Sequence, residues 1–164
     1  MTKSYIEVAP TGEIVSLEVD PGEFAYGGEA VARAVLDLHR TAHRPPAVPS
    51  PSPCVLSGDT SGPLYRAGLA SAAFRDSLDA LGAVRGSRTV DGRGGFSVSA
   101  QADVYGSLVV LHVDDRVRDC SAHHVESVVV EAVNGSVRDA AATREAITAR
   151  LLSVLDAASA DSRR

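Results

Sequence analysis

The chain has no tryptophan, two cysteines, only 4% aromatic residues and, among its 16 basic residues, a single lysine, Lys3. With so few rings, a core has to be assembled from valine, leucine, isoleucine and alanine, held by close packing. Cys54 and Cys120 cannot make the disulfide framework of a small secreted scaffold, so free thiols and a cytoplasmic setting are expected. No apolar run approaches the roughly 20 residues needed to span a bilayer. Residues 1–7 lack the apolar stretch of a secretory leader. A cationic excess is missing too: 16 basic against 21 acidic residues leave a net charge of -5, which excludes a strongly cationic nucleic-acid coat and allows only local basic patches. What is present is ordinary for a globular chain. A hydrophobic fraction of 45% over 164 residues is enough for one domain with a buried core.

Proline divides the chain. Five of the eight prolines fall in residues 44–53, RPPAVPSPSP, where neither a helix nor a central strand can pass. Residues 45–63 are expected to be a semi-extended linker followed by a turn cluster. Residues 1–44 are expected to form a β-β-α unit: a strand over 5–8, a turn at Pro10-Thr11-Gly12, a strand over 13–20, and a helix over 28–42 burying Val31, Val35, Leu38 and Ala42. Residues 64–158 are expected to form an α-β-β-β-α domain. Its first helix buries Ala67, Ala70, Phe74, Leu78 and Leu81. Three strands follow over 83–90, 96–102 and 107–114, with Asp91-Gly92 as the hairpin signal. A helix capped by Ser121 then carries Val125, Val128, Val129, Ala132 and Val133 inward. Asn134-Gly135 is expected to weaken it, and a last helix over 143–157 buries Ile147, Leu151, Val154 and Leu155. Residues 159–164 are expected to be a disordered tail.

Residues 12–42 align without gaps on residues 106–136, at an offset of 94. GEIVSLEVD lies over GSLVVLHVD, and Val31 and Val35 fall on Val125 and Val129. Alternation along the strand puts Val15, Leu17 and Val19 on one face, matched by Val109, Leu111 and Val113. The shared helical valines are four apart and share a face. An internal duplication of a β-β-α unit is therefore expected. The fold class is α+β, with small antiparallel sheets and helices packed on them.

Three stretches carry a family resemblance. They are Asp91-Gly92-Arg93-Gly94-Gly95-Phe96-Ser97-Val98, then Tyr105-Gly106-Ser107-Leu108-Val109-Val110-Leu111-His112-Val113-Asp114, then Glu131-Ala132-Val133-Asn134-Gly135-Ser136-Val137-Arg138-Asp139-Ala140. Residues 64–158 thereby resemble the YbaB/EbfC family of small bacterial nucleoid-associated proteins. Gly135 stands where that family usually has Asp. The resemblance implies a YbaB-like fold, no enzymatic activity, dimer formation and association with DNA. Related folds beside actinobacterial type VII secretion systems imply an accessory or chaperone role instead. The N-terminal unit and the linker depart from the plain family pattern. A first unit packed on the second would make an intramolecular pseudo-dimer in place of the homodimer.

Candidate chemistry is sparse. His112, Asp114, Asp119, Cys120, His123 and His124 are metal-ligand types, but their spacing matches no standard site, and a solvated loop at a helix start is expected. Residues 58–63, GDTSGP, echo the nucleophile loop of trypsin-like proteases with an inserted Thr, in a chain too short for that fold. Cys120 lies near Arg116 and Arg118 just before a helix, an environment that lowers a thiol pKa, though a passive cysteine is the expected reading. No cofactor, metal or catalytic residue is expected. Arg85, Arg88, Arg93, Arg116 and Arg118 flank the strand loops and are the candidate DNA contacts through phosphate neutralisation. Ile14, Leu108 and Val110, on the strand face opposite the shared valines, are the candidate patch for a protein partner. The expected partners are thus duplex DNA or a helical protein client, with a homodimer or a pseudo-dimer as the assembly and no membrane.

Overall fold

The structure, a computed structural model, describes residues 3–44 and 63–161, with side-chain exposure described for 3–44 and 71–157. Residues 45–62 of the expected linker, with Cys54 and all of the GDTSGP turns but Pro63, the inward placement of Ala67 and Ala70, and residues 162–164 lie outside those residues. Pro63 begins a helix, and residues 159–161, expected in a disordered tail, are helical. The chain is α+β, with two small antiparallel sheets. The order is β1 (Tyr5–Val8), β2 (Ile14–Glu18), α1 (Pro21–Tyr26), α2 (Gly28–Ala42), α3 (Pro63–Ala83), β3 (Arg85–Asp91), β4 (Ser97–Asp103), β5 (Leu108–Val113), a 3₁₀ turn (Asp115–Asp119) and α4 (Ala122–Asp161). β1 and β2 form one sheet; β3, β4 and β5 form the other in that order. Two compact units result. One contains residues 1–45 and 84–143; the other contains 46–83 and 144–164. The division differs from the expected one, because the N-terminal β-β-α segment shares its unit with the three-stranded sheet.

The core of the first unit is a valine and alanine core. Val31, Val35, Val98, Ala100, Val117, Val125, Val129, Ala132 and Val133 are essentially inaccessible, and Phe96 is the large ring among them. Small residues let α4 come close to the sheet. A Cβ at Gly86 would collide with the backbone of Ser136 and Ala140, so glycine at that point of β3 is what allows the contact. α4 is one continuous helix, not two. Gly135 does not break it, because hydrogen bonds on either side continue, and the missing side chain leaves room for the Arg88 stem.

The two β-β-helix segments share strand register, bulge, turn bond and aspartate cap. In the first ladder Tyr5, Ile6, Glu7 and Val8 face Glu18, Leu17, Ser16 and Ile14. In the second, Ser99, Ala100, Gln101 and Ala102 face His112, Leu111, Val110 and Leu108, the same pairs 94 residues on. Both ladders slip at the same place, leaving Val15 and Val109 as the extra residue of a bulge. The turns match: Gly12 N–H donates to Ala9 O and Gly106 N–H to Asp103 O, at 2.9 and 3.1 Å. The caps match as well, since Asp20 accepts from Gly22 N and Asp114 from Arg116 N, at 2.8 and 2.9 Å.

The bulge corrects the expected faces. One extra residue shifts the alternation, so Ile14 and Leu108 turn inward, each 2% exposed, while Val15 and Val109 turn out. Leu17, Val19, Leu111 and Val113 remain buried as expected. Along α2 the buried stripe is Val31, Val35, His39, one residue every four, with Ala42 exposed and Leu38 only half-buried. In α3 and the end of α4 the expected stripe is only partly covered. Phe74 and Leu78 are each 47% exposed, and Val154 is exposed as well. Ile147, Leu151 and Leu155 are half-buried.

Candidate functional site

The first unit is closed by an exchange. α2, which follows β2, packs along β5, and Gly28 lies against the Val113 carbonyl with no room for a side chain. α4, which follows β5, reaches β2 in return. Asn134 brackets Ile14, its Oδ1 accepting from the Ile14 N–H at 2.7 Å and its Nδ2 donating to the Ile14 carbonyl at 3.0 Å. Glu126 Oε1 accepts from Val19 N–H at 2.9 Å. Side chains thereby satisfy backbone groups on the β2 edge that no strand pairs. Within this first unit, where the two β-β-helix segments meet, the equivalent glycines touch. Gly12 (φ +92°) and Gly106 (φ +81°) lie backbone against backbone, in a conformation that side-chain-bearing residues rarely adopt.

Two histidines, His39 in α2 and His43 at its C-cap, hold this junction. His39 Nε2 bonds the Gly12 carbonyl and His43 Nε2 bonds the Tyr105 carbonyl, both at 2.9 Å, and the two rings stand 5.5 Å apart. Both residues are buried. Burial holds the His39 pKa below its ordinary value near 6.5. The Gly12 hydrogen bond opposes that shift, neighbouring His43 adds to it, and Asp103 opposes it. Neither histidine was singled out in the sequence, although spacing 31, 35, 39, 43 places both on the Val31–Val35 stripe.

The five arginines do not gather on one surface. Arg93 and Arg116 come to the same glycine-rich loop, where Arg116 Nη1 donates to Gly95 O at 2.9 Å. Arg118 turns toward α1 and donates to Tyr26 O at 3.2 Å. Arg88 shares the covered face of β3 with Gly86 and lays its stem over Gly135. Arg85 lies opposite Asp103 at the other end of β3, about 20 Å along the strand at roughly 3.3 Å per residue from Asp91, after which the turn carrying Arg93 begins. The loops holding Arg93, Arg116 and Arg118 also hold Asp91, Asp114, Asp115 and Asp119, so carboxylates outnumber guanidinium groups there.

The candidate partner patch dissolves, because Ile14 and Leu108 are core residues and only Val110 remains exposed. Cys120 is half-buried with Sγ 3.7 Å from Arg93 O and 3.6 Å from Arg116 O. His124 Nε2 accepts from Arg93 N–H at 2.9 Å and packs edge-on against Phe96, so it serves the loop. His112 and His123 are exposed. Among the described residues no three His, Cys, Asp or Glu side chains come together as metal ligands.

The second unit offers a different surface. α3 and the last part of α4 line an open groove of about 330 Å³ with Ala73, Asp76, Ser77 and Ala80 on one wall and Ile147, Arg150, Leu151 and Val154 on the other. Both walls follow i, i+3, i+4, i+7 spacing, one helical face each. Beside them Phe74, Leu78 and Leu152 are half-exposed. Among the described residues no helix is long and apolar enough to cross a membrane. No family model, curated protein or solved structure matches this chain.

Proposed function

We propose that the chain is a protein-binding adaptor built as an intramolecular pseudo-dimer, and that its helical pair, α3 with the end of α4, takes an amphipathic helix of a client protein. The observation that carries this reading is the apolar surface of that pair. Phe74, Leu78, Leu152 and Val154 all stay 43% exposed or more at a groove whose walls combine aliphatic side chains with Asp76, Ser77 and Arg150. Asp76 on one wall and Arg150 on the other provide charges of both signs for a helix that carries flanking polar residues. The matched ladders, bulges, turns and caps support a duplication of one β-β-helix unit, with the first copy standing where a second subunit would stand. An adaptor role agrees with what the resemblance to type VII secretion-associated relatives implies.

Association with duplex DNA is the second reading, favoured by the meeting of Arg93 and Arg116 at one glycine-rich loop. The two readings respond oppositely to salt. Apolar docking persists as ionic strength rises, whereas phosphate contacts weaken steeply. The test is binding by the purified protein across a salt series, with a client identified by mass spectrometry and with a DNA duplex. A client complex that survives high salt and is lost in Phe74→Asp with Leu152→Asp supports the adaptor. Salt-sensitive DNA binding lost in Arg93→Glu with Arg116→Glu, with no client complex, overturns it.

A further inference from the structure

We propose that His39 and His43 form a proton-sensitive clasp, holding the two opposed turns, Thr11–Gly12 and Tyr105–Gly106, together only while His39 carries a single ring proton. The inference goes beyond the identity of any ligand and concerns the joint between the two β-β-helix segments. A carbonyl only accepts, so the Nε2 that bonds Gly12 O must carry the hydrogen. A neutral imidazole has one N–H, which leaves Nδ1 as a bare lone pair. That Nδ1 is buried with no hydrogen-bond partner, in a residue 1% exposed. A second proton there would create a buried N–H and a full charge with no acceptor, a costly state.

The charged and titratable neighbours do little to offset that cost. From the C-cap of α2 comes His43, which opposes a second charge. Asp103, at the end of β4, is the favourable neighbour, but its Oδ1 already accepts from Tyr105 N and Ser107 N, both at 2.9 Å. Glu13, next to Gly12, is paired with Arg138 of α4 at 2.7 Å. Burial keeps the folded pKa of His39 below the ordinary 6.5. A base whose pKa is lowered by folding binds more protons when unfolded. The stability it permits is therefore complete above pH 6.5 and is lost as pH falls from there toward the depressed folded value. Acidification thus weakens the fastening of α2 at the Gly12 turn.

The test uses the full chain. Proton NMR of the histidine rings reads the His39 midpoint directly in the native protein, and a midpoint below 6.5 is expected. Urea denaturation from about pH 7.5 to about pH 5.5 is then compared for the native chain and His39→Gln. The glutamine Nε2 keeps a donor for Gly12 O and cannot titrate. Over this range the native chain should lose more of its folding equilibrium constant than the variant, by up to about tenfold, because one pH unit separates 6.5 from the lower end of the series. A His39 midpoint at or above 6.5, or an equal acid loss in both chains, overturns the clasp. If His39→Gln fails to fold, the NMR midpoint alone decides between them.

Discussion

The two β-β-helix segments share a backbone and differ in how their helices are fastened. Their ladders, bulges, turn bonds and aspartate caps coincide at an offset of 94. Yet His39 in α2 and His43 at its C-cap correspond to Val133 and Val137 in α4, all four buried. Conversely Asn134 and Glu126, which bind the β2 edge, correspond to Arg40 and Ala32 in α2. The hydrophobic positions that define the fold are the ones held in common. Polar fastening is not shared, because each helix meets a different edge: β2 lies in a two-stranded sheet and β5 in a three-stranded one. α4 supplies side-chain hydrogen bonds to β2, whereas α2 comes against β5 through Gly28 and clips the turns with histidines.

This comparison can be broken most severely at the shared glycines. Gly106→Val would force a β-branched residue into a positive φ and drive its Cβ into the Thr11 carbonyl. A loss of at least about 4 kcal/mol, read by urea denaturation, is expected there and at Gly12→Val alike. Next comes the unshared fastening. Asn134→Ala orphans both the N–H and the C=O of Ile14, at about 2–3 kcal/mol for the part-buried pair. The same change at the corresponding Arg40, an exposed residue, should stay within about 0.5 kcal/mol. Equal losses at the two positions would mean that α2 and α4 are fastened alike. The smallest effect tests the shared caps. Asp20→Ala and Asp114→Ala should each cost about 0.5–1 kcal/mol, and by similar amounts.

Much of the fold was legible because it rests on periodicity. The α2 and α4 valines follow from apolar spacing, the strands from alternation together with turn signals such as Asp91-Gly92, and the offset of 94 from identical residues in GEIVSLEVD and GSLVVLHVD. The bulges were not legible. One extra residue at Val15 and Val109 inverts the alternation before it, so Ile14 and Leu108, taken as an outward patch, are core. A bulge depends on how two strands pair, which a one-strand pattern does not contain. α1 was missed for a similar reason. Its signal, Asp20 as cap with Pro21 at the first position, looked like the end of a strand. His39 and His43 were passed over because a histidine on an apolar stripe has no meaning until the carbonyls it meets are known. The arginines were grouped by loop proximity in sequence, and the sheet then separates Arg85 and Arg88 from Arg93 and Arg116.

The central claim is that the first β-β-helix segment occupies the place of a second subunit. Molar mass by light scattering at micromolar concentration tests it most directly. The account predicts a particle of one chain, 17.0 kDa. A stable particle of twice that mass, dissociated by no dilution that leaves the chain folded, would contradict it.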